Sequence, residues 1–247
     1  NKADDKTITV AASPTPHAEI LEAAKDLLKE KGYTLEIKEF DDYPQQNVVV
    51  DEGEFDANYF QHQPYLDNFN EEKGSDLVSA AKIHYEPLGI YPGASEDLEN
   101  IKDGAKIAVP NDATNEARAL LLLEENGIIT LKEDAGLNAT KKDVEENPHN
   151  IEIVELDAAQ IARVVEELDF VVLNGNYALD AGFNVQTDAI AKEEADSEAA
   201  QTYANIIAVK KENKDSEKIK ALVEVLQSEE IGKFITDTYE GAVVPMK

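Results

Sequence analysis

The stretch IKDGAKIAVPNDATNEARALLLLEENGII (residues 101–129) carries the clearest signal for the fold. Residues 101–112 predict a strand that ends in a Pro-Asn-Asp turn, and residues 113–129 have the apolar spacing of a helix that stops at Gly127. We take Thr114 as the helix cap. A strand, a polar turn and a helix in this order predict an α/β protein with parallel strands.

The same order of elements occurs elsewhere in the chain. The predicted elements include strands at 7–13, 33–40, 151–157 and 205–211, and helices at 17–33, 158–168 and 216–239. Residues 76–93 predict a strand-like stretch broken by Pro87, and residues 169–182 predict a strand that ends in a Gly-flanked loop. The strand at 205–211 follows the second set of elements and suits a chain that leaves one lobe, builds another and returns. We therefore predict a two-lobe α/β fold, with residues 7–92 plus 206–247 in lobe I and residues 93–205 in lobe II. Two crossovers would join the lobes around a ligand cleft.

The composition excludes several classes of partner and chemistry. With 52 acidic against 23 basic residues, the formal charge of −29 disfavours nucleic acid and anionic membranes. The absence of cysteine excludes disulfides and thiolate chemistry, and the four histidines show no HxxxH or HxH spacing, so we expect no metal. No catalytic or nucleotide-binding motif occurs, and we expect no enzyme activity and no cofactor.

Two polar residues on the helix of residues 113–129 are candidates for binding a carboxylate. Asn115 and Arg118 are three residues apart near the predicted helix N-terminus, where free N–H groups and a guanidinium favour an anion. The alternative is a surface arginine paired with Glu116 or Glu124.

Three further asparagines lie at predicted strand ends. Asn174 and Asn176 follow the strand that contains VVL, where open α/β sheets usually bind ligands. They are equally typical of a turn. Asn205 begins the returning strand. It is interpreted either as a ligand contact or as an ordinary polar residue at a strand start.

The segment DANYFQHQPYLDNF (56–69) concentrates aromatic residues in a chain without tryptophan. We place His62, Tyr65 and Phe69 on one helix stripe and Phe60 at the strand-to-helix turn. From the pattern alone, the rings either pack in a core or line a pocket.

Several motifs together resemble the NlpA-type methionine-binding lipoproteins, the substrate-binding subunits of methionine ABC importers. These motifs follow one another over roughly residues 7–245 and are FDDYPQQN, DANYFQHQPYLDNF, EPLGIYPG, PNDATNEARALLLL, GLNATKKDVEENPHNIEIVEL, AAQIAR, LNGNYAL, ANIIAVKK and GAVVP. The chain is most similar to the Gram-positive members. The resemblance implies a periplasmic-binding-protein fold, with methionine enclosed between two lobes.

The resemblance also implies roles for residues of this chain. Tyr43, Phe60, His62 and Tyr65 would surround the thioether side chain of methionine. Asn115 and Arg118 would hold its charged backbone groups, with further contacts from Asn174, Asn176 and Asn205. Tyr59, Leu66 and Phe69 are expected to pack in the core. The chain departs from the usual pattern at Pro44, at Ala113 and over residues 197–205, beside these positions.

We expect an extracytoplasmic receptor that delivers methionine to a membrane permease as a monomer. Mature family members carry a lipidated N-terminal cysteine, and we expect the sequence, which starts with the polar leader NKADDK, to begin just after that anchor. The anchor would be the only membrane contact, at the surface of the cytoplasmic membrane. A receptor for a methionine-containing peptide or another apolar amino acid is the alternative. An enzyme or an adhesin-like surface protein remains open.

Overall fold

The computed structural model describes residues 5–246, so the start of the polar leader and Lys247 lie outside the described residues. The chain divides into two compact units. Unit 1 comprises the chain up to Glu86 together with the chain from Ala195 onward, and unit 2 comprises Pro87–Glu194. The chain thus crosses between the units twice, as predicted. Its strands and helices confirm the predicted α/β class.

The strands and helices alternate along most of the chain. The strands are β1 (Thr7–Ala12), β2 (Thr34–Glu39), β3 (Ala57–His62), β4 (Val78–Tyr85), β5 (Gly89–Pro92), β6 (Lys106–Pro110), β7 (Thr130–Leu131), β8 (Val144–Glu146), β9 (Glu152–Leu156), β10 (Phe170–Leu173), β11 (Ala191–Lys192), β12 (Asn205–Val209) and β13 (Val244–Pro245). The α-helices are α1 (Glu19–Glu30), α2 (Pro44–Asp51), α3 (Gln63–Lys73), α4 (Ala113–Glu125), α5 (Ala158–Ile161), α6 (Gly175–Asp180), α7 (Val185–Asp188), α8 (Glu198–Thr202), α9 (Glu217–Leu226) and α10 (Glu229–Tyr239).

Unit 1 is built on a mixed sheet with the strand order β13-β4-β12-β3-β1-β2. Strand β1 pairs in parallel with β2 and β3, whereas the returning strand β12 runs antiparallel between β3 and β4. Every residue of β12 is buried, as the apolar run NIIAV predicts for a central strand. Asn205 therefore enters the sheet at a position flanked by His62 of β3 and His84 of β4.

Unit 2 has a five-stranded sheet with the order β11-β5-β10-β6-β9. Strands β10, β6 and β9 are parallel, and β5 and β11 continue the sheet with antiparallel pairing. Helix α4 buries its apolar run, including Leu120 and Leu123, in the same core as Ile107 and Phe170. The carboxyl ends of β6 and β10 lead directly into α4 and α6, which carry the candidate polar residues.

The observed unit boundaries differ from the predicted boundaries after residues 92 and 205. Residues 76–93, predicted as a strand-like stretch broken by Pro87, form β4 and β5, which belong to different sheets. The break falls at Pro87, which lacks the N–H group that a continuous ladder requires. Because β5 pairs with β10, the chain enters unit 2 before Gly89.

Two local predictions are wrong. The residue at the N-cap of α4 is Asp112, and Thr114 is already the second helical residue, with a buried hydroxyl that has no hydrogen-bond partner among the described residues. The segment after β10 was expected to be a loop, but it begins α6 at Gly175. None of the helices in residues 5–246 has the length and apolar character needed to cross a bilayer.

Candidate functional site

Four rings predicted to bind a ligand side chain lie together in unit 1. The rings of Tyr43, Phe60 and Tyr65 have centroids 5.5–5.7 Å apart in each pair, and the ring of His62 lies 6.4 Å from that of Tyr65. We call Tyr43, Phe60, His62 and Tyr65 the aromatic group. Its rings pack at tilted or edge-to-face angles, which are the favourable arrangements for aromatic pairs.

The aromatic group depends on the junction between β3 and α3. His62 is both the last residue of β3 and the N-cap of α3, and its Nδ1 accepts the backbone N–H of Tyr65 at 3.2 Å. The predicted helix stripe is therefore wrong for His62, and Phe60 lies within β3 rather than at the turn. Pro64 falls in the first helical turn, where its missing N–H costs no helical hydrogen bond.

The residues expected to pack in the core of unit 1 do so. Leu66 and Phe69 belong to one hydrophobic cluster with Ile206 of β12. Tyr59 is also fully buried, but its hydroxyl forms a hydrogen bond with Nδ1 of His84. The segment therefore contains both core residues and the aromatic group.

The polar candidates in unit 2 form a second group at the starts of α4 and α6. Asn115 donates from Nδ2 to Oδ2 of Asp112 at 2.7 Å and accepts at Oδ1 from Nδ2 of Asn174 at 3.2 Å. Burial raises the pKa of Asp112 despite this hydrogen bond. The Oδ1 atom of Asn174 is buried and has no hydrogen-bond partner among the described residues. An unsatisfied buried acceptor of this kind is suited to a ligand N–H group.

Arg118 is buried rather than on the surface, and its partner is neither Glu116 nor Glu124. Its Nε and Nη2 atoms donate to the two carboxylate oxygens of Glu193 at 3.0 and 2.6 Å. Glu193 also accepts the backbone N–H of Leu88 at 2.9 Å. This bidentate pair fixes the plane of the guanidinium group.

The two other asparagines lie in different units. Asn176 is buried in the first turn of α6, two residues after Asn174. Asn205 is in unit 1, where its Oδ1 lies 2.7 Å from Nε2 of His17. We name Asn115, Arg118, Asn174 and Asn176 the polar group of unit 2.

Glu116, on the same helix as Asn115 and Arg118, is paired with an acidic residue of β9, Glu155. Burial and then the neighbouring carboxyl group of Glu155 raise the pKa of Glu116 to about 8. Its Oε1 atom is buried without a hydrogen-bond partner in the described part of the chain. Glu116 is therefore largely protonated at neutral pH.

One group of side chains in unit 1 could in principle hold a metal ion. The possible ligand atoms of His17, His84 and Glu86 lie within 4.8 Å of one another, and all three side chains are buried. Nε2 of His84 lies 2.6 Å from Oε2 of Glu86, a hydrogen-bond distance. Two ligands of a tetrahedral zinc ion would lie roughly 3.3 Å apart, given bonds of about 2.0–2.1 Å. The geometry thus fits hydrogen bonds better than a metal, and the absence of a metal stays a prediction.

The fold and the two groups define a class of protein: an α/β chain of two units, each of which buries side chains of the kinds that bind small ligands. The family model for NlpA lipoproteins matches residues 8–247, so the chain belongs to the NlpA lipoprotein family.

Individual relatives agree with this assignment. The methionine-binding lipoprotein MetQ of Bacillus subtilis is 45% identical over 98% of this chain and 88% of its own length. A solved structure from Ruminococcus gnavus, described as a candidate lipoprotein, has 66% identity and a TM-score of 0.97, covering 98% of this chain and all of that one. A nutrient-binding protein from Burkholderia cenocepacia, solved bound to methionine, has 43% identity and a TM-score of 0.93, covering 97% of this chain and 100% of that chain.

Some residues of the site were not predicted from the sequence. Glu193 was missed because it is 75 residues from Arg118 and is one of 52 acidic residues. Tyr203 was also missed, and the structure places its ring 5.1 Å from that of His62. Its position two residues before Asn205 was a usable signal.

Proposed function

We propose that this chain is an extracytoplasmic binding protein that captures methionine and delivers it to an ABC importer. The observation that supports the proposal is that side chains suited to both ends of methionine are buried in the same chain. The aromatic group suits the thioether, and the polar group of unit 2 suits the charged backbone atoms. Relatives named for methionine binding, at 45% identity in one case, support the same ligand.

The aromatic group takes the methionine side chain in this proposal. Sulfur is polarizable and makes favourable contacts with ring edges, each contributing about 0.3–1.5 kcal/mol. Tyr43, Phe60 and His62 are at most 9% exposed, so a thioether among them would be removed from water. Tyr65 completes the group and is partly exposed, which leaves one ring accessible to an incoming ligand.

The polar group takes the charged backbone of the amino acid. Arg118 binds the carboxylate with its guanidinium group, whose plane is fixed by the bidentate pair with Glu193. Oδ1 of Asn174 accepts from the ammonium group, and Asn115 holds the Asn174 amide in that orientation. Asn176 and, from unit 1, Asn205 supply further amide contacts.

The chain performs no chemistry in this proposal, and it acts as a monomer on a membrane permease. The names of its relatives support a lipid anchor, so we propose a location outside the cytoplasmic membrane, at its surface. The acidic charge of −29 keeps the protein itself from anionic lipid headgroups.

Ligand stripping tests the function directly. Freshly purified protein is denatured, and the released small molecules are identified by mass spectrometry. The refolded protein is then heated with millimolar L-methionine, D-methionine, L-leucine or a methionine dipeptide. We expect a methionine isomer to raise the melting temperature more than leucine or the dipeptide. A larger rise with the dipeptide would favour the peptide receptor, and no rise with any compound would refute the proposal.

A further inference from the structure

Five buried polar side chains of unit 1 contact one another in a series that ends at Asn205. The hydroxyl of Tyr59 contacts Nδ1 of His84, and Nε2 of His84 lies 2.6 Å from Oε2 of Glu86. The same carboxylate oxygen lies 3.3 Å from Nε2 of His17, which in turn lies 2.7 Å from Oδ1 of Asn205. The five side chains are at most 7% exposed.

The positions of the protons follow from the chemistry of the pairs. Burial alone would raise the pKa of Glu86, but His17 and His84 hold it well below its usual value, so Glu86 is a carboxylate. Burial lowers the pKa of His84 against the pull of Glu86, which favours the neutral ring. Nε2 of His84 therefore donates to Glu86, and Tyr59 donates to Nδ1.

The tautomer of His17 is fixed in the same way. Its Nε2 lies 3.3 Å from an oxygen of the Glu86 carboxylate, which can only accept, so Nε2 carries a proton. Its Nδ1 is buried and has no hydrogen-bond partner among the described residues. A proton on Nδ1 would be an unsatisfied buried donor, which is costly. Oδ1 of Asn205 is therefore the atom that accepts from His17.

The orientation of Asn205 matters because an amide can rotate. The terminal torsion of asparagine is broad and roughly two-fold, so an unsupported amide can present either its oxygen or its nitrogen at one place. Asn205 lies opposite His62 in the β3–β12 ladder and therefore lies beside the aromatic group. With Oδ1 turned to His17, the amide offers its Nδ2–H groups as donors.

We propose that His17 is a positioning residue, anchored by Glu86, that fixes the Asn205 amide so that Asn205 donates to the carboxylate of the bound amino acid. This inference rests on the proposed function, because it assigns one contact of the methionine site. It goes beyond that function by assigning a role to His17, which was not among the predicted site residues.

A double-mutant cycle tests the inference. We expect His17→Leu and Asn205→Ala each to weaken L-methionine binding at least about tenfold, and the double variant to bind within about threefold of Asn205→Ala alone. His17→Gln should restore most of the affinity, because its amide N–H group can replace Nε2–H. The control is Leu222→Ala, in the core of unit 1, which should lower the melting temperature and leave the affinity unchanged.

The outcomes separate the inference from the function. Wild-type protein that does not bind methionine would refute the proposed function itself. If the wild type binds methionine, two results would overturn only the positioning role. One is unchanged affinity in His17→Leu. The other is a double variant in which His17→Leu weakens binding as much on the Asn205→Ala background as it does alone. Should His17→Leu fail to fold, ¹⁵N NMR of wild-type His17 decides the question. A protonated Nε2 before and after methionine addition is expected, and an unprotonated Nε2 would contradict the inference.

Discussion

Arg118 and Glu193 form a bidentate ion pair with both side chains almost fully buried in unit 2. Removing one partner of such a pair leaves an uncompensated buried charge, which typically costs 3–5 kcal/mol. A simple Arg118→Ala variant would therefore mix a loss of stability with any loss of binding. The pair has to be changed together.

We predict that Arg118→Met combined with Glu193→Gln folds but binds L-methionine at least about 2 kcal/mol more weakly, because a charged partner of the carboxylate is lost. The glutamine keeps an acceptor for the backbone N–H of Leu88. Denaturant unfolding checks the fold, and equilibrium titration checks the affinity. Affinity equal to that of the wild type would show that Arg118 has only a structural role.

The aromatic group should bind a ligand with a thioether sulfur more tightly than one with a methylene group in its place. We predict that L-norleucine binds roughly 0.3–1.5 kcal/mol more weakly than L-methionine, which is the range for sulfur–aromatic contacts. Tyr65→Leu should reduce this difference. Phe69→Leu, a core change on the same helix, should lower the stability and keep the difference. Competition titrations measure both ligands, and an unchanged difference in Tyr65→Leu would remove Tyr65 from the site.

The unsatisfied oxygen of Asn174 predicts recognition of the ammonium group. Asn174→Leu should weaken L-methionine binding by about 1.5–3 kcal/mol, the range for a hydrogen bond to a charged group. N-acetyl-L-methionine lacks that charge, so its weaker binding should be affected less by the substitution. Asn126→Ala, at the far end of α4, serves as the control. Equal losses for both ligands would argue against this contact.

Glu116 should make the stability depend on pH. Its folded-state pKa is about 8, against 4.5 as the ordinary value. Between these values the unfolded chain has lost a proton that the folded chain retains, so this contribution to stability falls as the pH rises and levels off above about 8. Glu116→Gln should equal the wild type near pH 4 and exceed it at pH 9. The gain is limited to about 1.4 kcal/mol per pH unit.

Urea unfolding at several pH values measures this difference in the free energy of unfolding. Glu30→Gln, an exposed change in α1 of unit 1, is the control. A difference between Glu116→Gln and the wild type that stays constant from pH 4 to pH 9 would contradict the raised pKa.

Local patterns predicted more of the fold than of the site's connections. The helix predicted over residues 17–33 is present as α1 and buries Ile20, Leu21, Ala24 and Leu28 on one face, because a helical stripe is a local property. The split of residues 76–93 between two sheets depends on pairing partners far along the chain. The pattern of one segment does not contain that information.

The site shows the same division. Asn115 and Arg118 were recognisable because a helix start after a strand is a local signal. Their partners were harder to predict: Asn174 is 59 residues from Asn115, and Glu193 competes with many other acids for the guanidinium. The histidine motifs gave no sign of the His17–Glu86–His84 network, because its members come from two segments that are far apart in the sequence.

Calorimetric titration is the decisive measurement of whether this chain binds methionine. Protein that has been unfolded, washed and refolded is titrated with L-methionine, and in parallel with D-methionine. We predict saturable binding of one methionine per chain, with much weaker heat when leucine is titrated instead. No heat with either isomer at millimolar concentration, from protein whose unfolding transition shows that it has refolded, would contradict it.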